Sequence, residues 1–270
     1  TIAAPAIAQS MPEVKWRLTS SFPKSLDTLY GGSELFAKII GEMSDNKFQI
    51  RPFAAGEIVP GLQVADAVQN GTVEAGQTAA YYYFGKHPNF VFETGLPFSM
   101  NQRQYYAWLE FGGGHELIND FYKEYNFRSF TFGGTGCQMG GWFRKEIKSM
   151  DDMKGLKLRT PNVPFLIAYA KAVGATPAPV AFAEVYLALQ TKQVDAQENP
   201  LPTIESAKLY EVQKHIALTG HFIASSAMLL SEKTWAKLTP EQRNWVTEAT
   251  LVGGKFASQM VADKAKSLLD

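Results

Sequence analysis

The chain is poor in the groups that usually announce chemistry. It has one cysteine, Cys137, so an intramolecular disulfide is excluded. No His or Lys stands beside that thiol to lower its pKa, and it reads as a small buried residue. The four histidines, His87, His115, His215 and His221, lack both HExxH and paired-cysteine spacing. A GxSxG nucleophile turn is missing. Carboxylates are numerous, but spacing alone does not set two of them face to face, so a hydrolase pair has no support. There is no charge of one sign to spare: 26 Lys and Arg balance 26 Asp and Glu, with no run of like charges. That argues against a nucleic-acid partner. Nor is there a run of roughly 18 apolar residues that would span a membrane.

What is present is material for a proper core. Apolar residues make up 46% of 270 and charged residues 19%. That length suits one large or two medium domains. The first residues, Thr1-Ile-Ala-Ala-Pro-Ala-Ile-Ala-Gln9, read as the tail of an export signal. Ala6 and Ala8 supply the small side chains that a signal peptidase needs at −3 and −1. A signal remnant over 1–12 predicts a protein of the periplasm or exterior. The other reading of this segment is an Ala-rich terminus without structure.

Alternation of apolar and polar residues over Val14–Thr19 predicts a strand. A helix is expected over Asp27–Met43, with Leu29, Leu35, Phe36, Ile39 and Ile40 on one face. A strand over Phe48–Phe53, a helix near Leu62–Val68 and a strand near Val73–Gln77 follow. This is the βαβ rhythm of a parallel sheet, whose ligands sit at the carboxyl ends of the strands. It directs attention to the loops 20–24, 56–60 and 78–83, and so to Ser21, Thr78, Tyr81 and Tyr82. A short strand is expected near Phe127–Phe132 before the glycine run Gly133-Gly-Thr-Gly136. That run lacks the Lys-Ser/Thr of a phosphate loop and reads as a flexible crossing between domains. The second half alternates again. Strands are expected at Leu156–Arg159, Ala178–Val180 and Val194–Ala196, and helices at Phe165–Val173 and Ala183–Gln190. Thr239-Pro240 opens a long last helix, weakened at Gly253-Gly254.

The residues left over suggest binding. Arg159 ends a strand, and a guanidinium pairs with a carboxylate through two charge-assisted hydrogen bonds. From position alone, a ligand anchor and a surface arginine in an ion pair are both open. Asn199 offers a donor and an acceptor to a polar ligand. Glu198 orients Arg159, holds a hard cation together with Gln138, or caps a helix; all three stay open. Tyr81-Tyr82-Tyr83 belongs to a binding surface or to the core.

A set of ordered motifs then becomes familiar. Leu156-Lys-Leu-Arg-Thr160, Gly174-Ala-Thr-Pro177 and Ala181-Phe-Ala-Glu-Val-Tyr-Leu-Ala-Leu-Gln-Thr191 come first. Val194-Asp-Ala-Gln-Glu-Asn-Pro200 and Tyr210-Glu-Val-Gln-Lys214 follow in order. Together they resemble the DctP-type solute-binding proteins of TRAP transporters. Gly56-Glu-Ile-Val-Pro60, Tyr82-Tyr-Phe-Gly-Lys86 and Gly140-Gly-Trp-Phe-Arg-Lys-Glu-Ile147 look like the branch that binds 2-oxo acids and related monocarboxylates.

The resemblance implies an α/β, type II-like, two-domain periplasmic binding protein with crossing hinge strands and a long C-terminal helix spanning both domains. It places one domain at 13–136 plus 225–252 and the other at 137–224 plus 253–270. Members usually continue past the position of Asp270. It makes Arg159 the carboxylate anchor, Asn199 a ligand hydrogen-bonding group and Phe182 the ring that packs over the ligand. Gln138 and Glu198 match positions that hold a cation, calcium or sodium, bridging to the ligand. That branch has Trp where this chain has Asn199, a departure that counts against the cation. His221 falls where some relatives place a residue near the ligand. The further arginine of the sugar-acid binders, near Gln138–Met139, is absent, which favours a 2-oxo or 2-hydroxy monocarboxylate. A dicarboxylate and an aromatic acid remain open. The implied partners are the TRAP membrane permease subunits, no cofactor is required, and no enzyme activity is expected. The competing readings are a sensory carboxylate-binding protein of the same fold and an enzyme that clamps a carboxylate substrate on Arg159.

Overall fold

Trp16 and Leu18 recur at a strand's period of two, and both are buried in β1 (Val14–Ser20). In the computed structural model, which describes residues 12–269, β1 pairs in parallel with β2 (Phe48–Phe53) and with β3 (Ala75–Thr78). The crossovers are α1 (Asp27–Met43) and α2 (Val64–Gln69). Phe36 and Ile40, one turn apart on α1, enter the same core as Trp16, Leu18 and Phe48. The export signal read at Thr1–Gln9 lies outside the described residues.

Short helices α3 (Val91–Thr94), α4 (Gln102–Phe111) and α5 (Gly114–Tyr122) lead to β4 (Phe127–Phe143). Here the structure departs from the expected short strand. β4 runs for 17 residues, straight through the glycine run. The glycines absorb register shifts between Thr131 and Gly134 and between Gly134 and Gly136. Gly133 and Gly136 have φ of 87° and 86°, the left-handed region where glycine alone is free of strain.

The second half holds β5 (Lys157–Thr160), α6 (Pro164–Ala172), β6 (Thr176–Pro179), α7 (Val185–Gln190) and β7 (Ala196–Pro200). β5 is parallel to both β6 and β7. The strand expected at Val194–Ala196 therefore begins later, and Glu198 and Asn199 lie inside it instead of after it. Its neighbours on both sides bury all five residues, polar ones included. After α8 (Thr203–Ser206), β8 (His215–Ala217) pairs with β4.

β9 (Ile223–Ser231) has no counterpart in the sequence reading. It returns to the first half and lies antiparallel between β3 and β4. The sheet is thus mixed, not wholly parallel, with the order β2-β1-β3-β9-β4-β7-β5-β6. Early residues of β4 pair with β9 and later ones with β7 and β8, so one strand belongs to both halves.

After α9 (Glu232–Ala236) comes α10 (Pro240–Leu269), 30 residues and about 45 Å long at 1.5 Å per residue. Its start is a reciprocal cap. The Gln242 N–H donates to Thr239 Oγ1 at 3.2 Å, and the Thr239 N–H donates to Gln242 Oε1 at 3.0 Å. The helix does not break at Gly253-Gly254. Those glycines bring it down on the sheet, and a Cβ at Gly253 would stand 2.8 Å from the Phe132 ring. Val246 and Ala249 sit in the first half's core, while Ala265 packs on the second's. Cys137 is half-buried rather than enclosed, and burial raises its thiol pKa.

Candidate functional site

The halves meet through an apolar cluster that crosses between them. Phe22, Leu26, Leu29 and Tyr81 come from the first half; Val163, Leu166 and Phe182 come from the second. Phe165 on α6 lies 6.3 Å from the Tyr81 ring. The lobes are therefore closed on each other, and the cavity left between them is lined by both. Its walls include Tyr81, Tyr82, Gln138, Phe182 and Asn199, with Leu26 and Leu29 on the apolar side.

Arg159 is carried on β5 and is only 2% exposed. Its Nε–H donates to Val180 O at 2.9 Å. Nη1 donates to Glu198 O at 3.1 Å and to Asn199 Oδ1 at 3.3 Å. All three acceptors are neutral oxygens. Among the described residues, Nη2 has no acceptor and no carboxylate forms an ion pair with this guanidinium. Burial holds its pKa below the usual arginine value, against the opposing influence of Tyr82, Glu198 and Tyr81.

Glu198 and Asn199 face this arginine because β7 lies beside β5. Glu198 is 1% exposed, and burial pushes its pKa up to about 8 although Arg159 pulls the other way. Among the described residues, its Oε1 accepts no hydrogen bond. His221 Nε2 approaches that oxygen to 3.7 Å. Burial lowers the His221 pKa, and its Nδ1 lies 2.9 Å from Thr219 Oγ1. The His221 ring stacks on Tyr169, whose hydroxyl donates to Gly140 O at 2.7 Å. Asn199 Nδ2 donates to Gln197 Oε1. On β4, Gln138 Nε2 donates to Thr135 Oγ1 at 3.2 Å.

Tyr81 and Tyr82 stack at 5.1 Å, on the turn that follows β3. Burial raises both phenol pKa values, that of Tyr82 to about 12, so both keep their protons. The Tyr81 N–H donates to Thr94 Oγ1 at 3.0 Å, which fixes the turn from behind.

Six of the residues singled out in the sequence thus converge: Arg159, Asn199, Glu198, Gln138, Tyr81 and Tyr82. Phe182 closes over them and His221 flanks Glu198. Ser21 and Thr78 do not join them. Ser21 Oγ lies 2.6 Å from Gly61 O and 2.7 Å from Thr78 Oγ1, which is 2.7 Å from the Tyr83 hydroxyl. Both are buried in a satisfied chain inside the first half, held by Gly61 O and by the Tyr83 hydroxyl, which also accepts the Ala65 N–H of α2. Gln197, which holds Asn199, was missed. It stands two residues from Asn199 on one strand, hence on the same face, and that spacing was a usable signal.

Gln138 and Glu198 fit a cation by chemistry. Glu198 Oε1 is a buried carboxylate oxygen without a partner, and Gln138 Oε1 accepts no hydrogen bond among the described residues. Such oxygens suit a hard ion. Among the described residues, no group of three or more His, Cys, Asp or Glu gathers to hold a metal. The two residues would therefore need further oxygens from ligand or water.

Two α/β lobes closed over a cavity, one strand common to both and a helix laid across them, define the fold of a periplasmic solute-binding protein. Residues 19–270 match the family described as bacterial extracellular solute-binding protein, family 7, DctP, and the chain belongs to that family. It is 49% identical over 193 residues to the monocarboxylate 2-oxoacid-binding periplasmic protein of Nostoc, covering 72% of this chain and 52% of that one. The chain spans about half the length of the first curated relatives it matches. A solved TRAP solute-binding protein from Bordetella bronchiseptica, with calcium and picolinate in its site, superposes with a TM-score of 0.89 at 34% identity. That match covers 96% of this chain and 77% of the other. A second, from Pseudoalteromonas atlantica with sodium and pyruvate bound, gives 0.87 at 30% identity, covering 95% and 78%.

Proposed function

We propose that this protein is the extracytoplasmic solute-binding subunit of a TRAP transporter and that it takes a small organic acid by its carboxylate. The observation that carries the reading is Arg159, a charged side chain that is buried and that, among the described residues, bonds only neutral oxygens. An unpaired buried cation costs several kcal/mol. A ligand carboxylate supplies the missing charge through a two-pronged pair. Asn199 hydrogen-bonds the ligand's polar group, Phe182 covers its apolar part, and Tyr81 and Tyr82 offer hydroxyls from the other lobe.

The preferred ligand is a 2-oxo or 2-hydroxy monocarboxylate. Besides Arg159, which bonds the cavity-lining Asn199, no Lys or Arg borders the cavity among the described residues, so the second carboxylate of a diacid has no partner there. An aromatic acid suits the flanking rings. The relatives that carry pyruvate and picolinate support this choice. A calcium or sodium ion, held by Gln138 and Glu198, would supply positive charge beside the ligand and keep Glu198 ionised.

In this reading the units 13–136 with 225–252 and 137–224 with 253–270 close around the acid in the periplasm. Closure removes water and strengthens the Arg159 pair. A ligand favours the closed form only through its greater affinity for it. The closed protein then delivers the acid to the membrane permease subunits. It is a carrier and not an enzyme.

The test is a thermal-shift panel of 2-oxo acids, 2-hydroxy acids, aromatic acids, C4-dicarboxylates and sugar acids, with and without calcium. A ligand at 100 times its Kd should stabilise by about 2.7 kcal/mol. Arg159→Ala should abolish that response. Full affinity in this variant would overturn the reading, and turnover of a bound acid would favour an enzyme.

A further inference from the structure

One polar cluster ties the two lobes together without touching the cavity. Lys264 Nζ, near the end of α10, lies 3.1 Å from Asp27 Oδ1 and 3.1 Å from Ser206 Oγ. Ser206 Oγ donates to the same Asp27 oxygen at 3.0 Å. Glu205 Oε2 stands 3.7 Å from the ammonium. Asp27 opens α1 in the first lobe, while Glu205 and Ser206 end α8 in the second. Lys264 adjoins Ala265, which packs on the second lobe's core. One carboxylate oxygen of the first lobe therefore receives two donors from the other side.

The cluster sits on the segments that bound the cavity. Leu26, the residue before Asp27, lines it, and so does Thr203, three before Ser206. Separating the lobes at the cavity must draw Asp27 away from Ser206 and Lys264. The Lys264 side chain is 20% exposed and that of Asp27 49%, so the pair is sheltered on the ammonium side and half-open on the carboxylate side.

We propose that Lys264, Asp27 and Ser206 form an interlobe latch that stabilises the closed form and so sets how long a ligand is retained. The inference rests on the binding reading above and adds residues that tune affinity from outside the cavity. The three groups meet only when the lobes are together, whereas in the open form each is hydrated separately. A contact made after encounter slows dissociation and leaves association nearly unchanged.

The experiment compares wild type with Lys264→Met, Asp27→Asn, Ser206→Ala and Lys264→Arg. Ligand on- and off-rates are measured with the acid that the panel identifies. Lys264→Met should raise koff roughly three- to tenfold, with kon within about twofold. Lys264→Arg should recover most of the loss. Melting of each ligand-free variant checks that it is folded. In parallel, spin labels at Lys38→Cys and Lys171→Cys, in a Cys137→Ser background, report the interlobe distance without any ligand. The closed fraction should fall in Lys264→Met and in Asp27→Asn. An unchanged koff together with unchanged distances overturns the latch, as does a loss of affinity carried by kon alone. If wild type binds no acid at all, the binding reading fails, while the distances still decide whether the latch exists.

Discussion

Arg159 Nη1 lies 3.3 Å from Asn199 Oδ1, and the same amide donates through Nδ2 to Gln197 Oε1. Both ends of Asn199 are thus fixed, and Gln197, fully buried, sets which end faces the guanidinium. Arg159→Lys should weaken acid binding by about tenfold or more, since a point charge cannot reproduce the planar fork. Gln197→Leu should cost less but measurably, because Asn199 is then free to flip. Titration calorimetry of the two variants and their double mutant checks this. Strictly additive losses would show that Gln197 does not act through the site.

Glu93 supplies a pH signature unrelated to the ligand. It is 2% exposed, it accepts a hydrogen bond from Ser129, and Tyr122 stands beside it. Burial raises its pKa from 4.5 to about 6. The folded state therefore holds this proton more tightly than the unfolded chain does. Glu93's contribution to stability is complete below about pH 4.5 and falls as pH rises through about 6, by about 2 kcal/mol in all. Glu93→Gln, which stays neutral, should gain on wild type up to that amount at pH 7.5 and lose the advantage below pH 4.5. Urea unfolding across this range measures it; a gap that does not vary with pH would refute it.

Gly133 separates backbone strain from packing. A Cβ there would lie 2.8 Å from the Ala257 Cβ, at φ 87°. Gly56 has nearly the same φ, 86°, with nothing within 4 Å of the added atom. Gly56→Ala should cost only about 1 kcal/mol of backbone preference. Gly133→Ala should cost roughly 1–3 kcal/mol more, because α10 must lift from β4. Equal losses in denaturant melts would mean that α10 yields freely at this point.

Much of the fold was legible where a single face is buried. α1 and β2 have the bounds expected from their apolar spacing. β9 escaped because Ile223–Ser231 is buried on both faces, so its sequence carries no alternation to read. The glycines at 133–136 read as a flexible crossing between domains, and the structure keeps them inside β4, which they bend; nothing local says that Ala257 and Ser258 press against them from far along the chain. At the site, Arg159, Asn199 and Glu198 could be found because they sit on adjacent strands of a motif-rich half. Ser21 and Thr78 were placed at the cleft by the rule for strand ends. The structure turns them inward, a choice made by Gly61 and Tyr83, which neither residue's neighbours in sequence reveal.

The position of β9 also governs how the molecule must be made. An interior strand of the first lobe's sheet is the last strand in the sequence, and Phe127 of β4 waits for Ser231, about a hundred residues further on. Until Ile223–Ser231 has emerged, β3 and β4 are two open edges with unpaired amides. The first lobe's sheet is therefore not continuous in a fragment that ends before β9. A nascent chain that stalls before β9 exposes a template for aggregation, and the first lobe's sheet joins β3 to β4 only once that strand is in place.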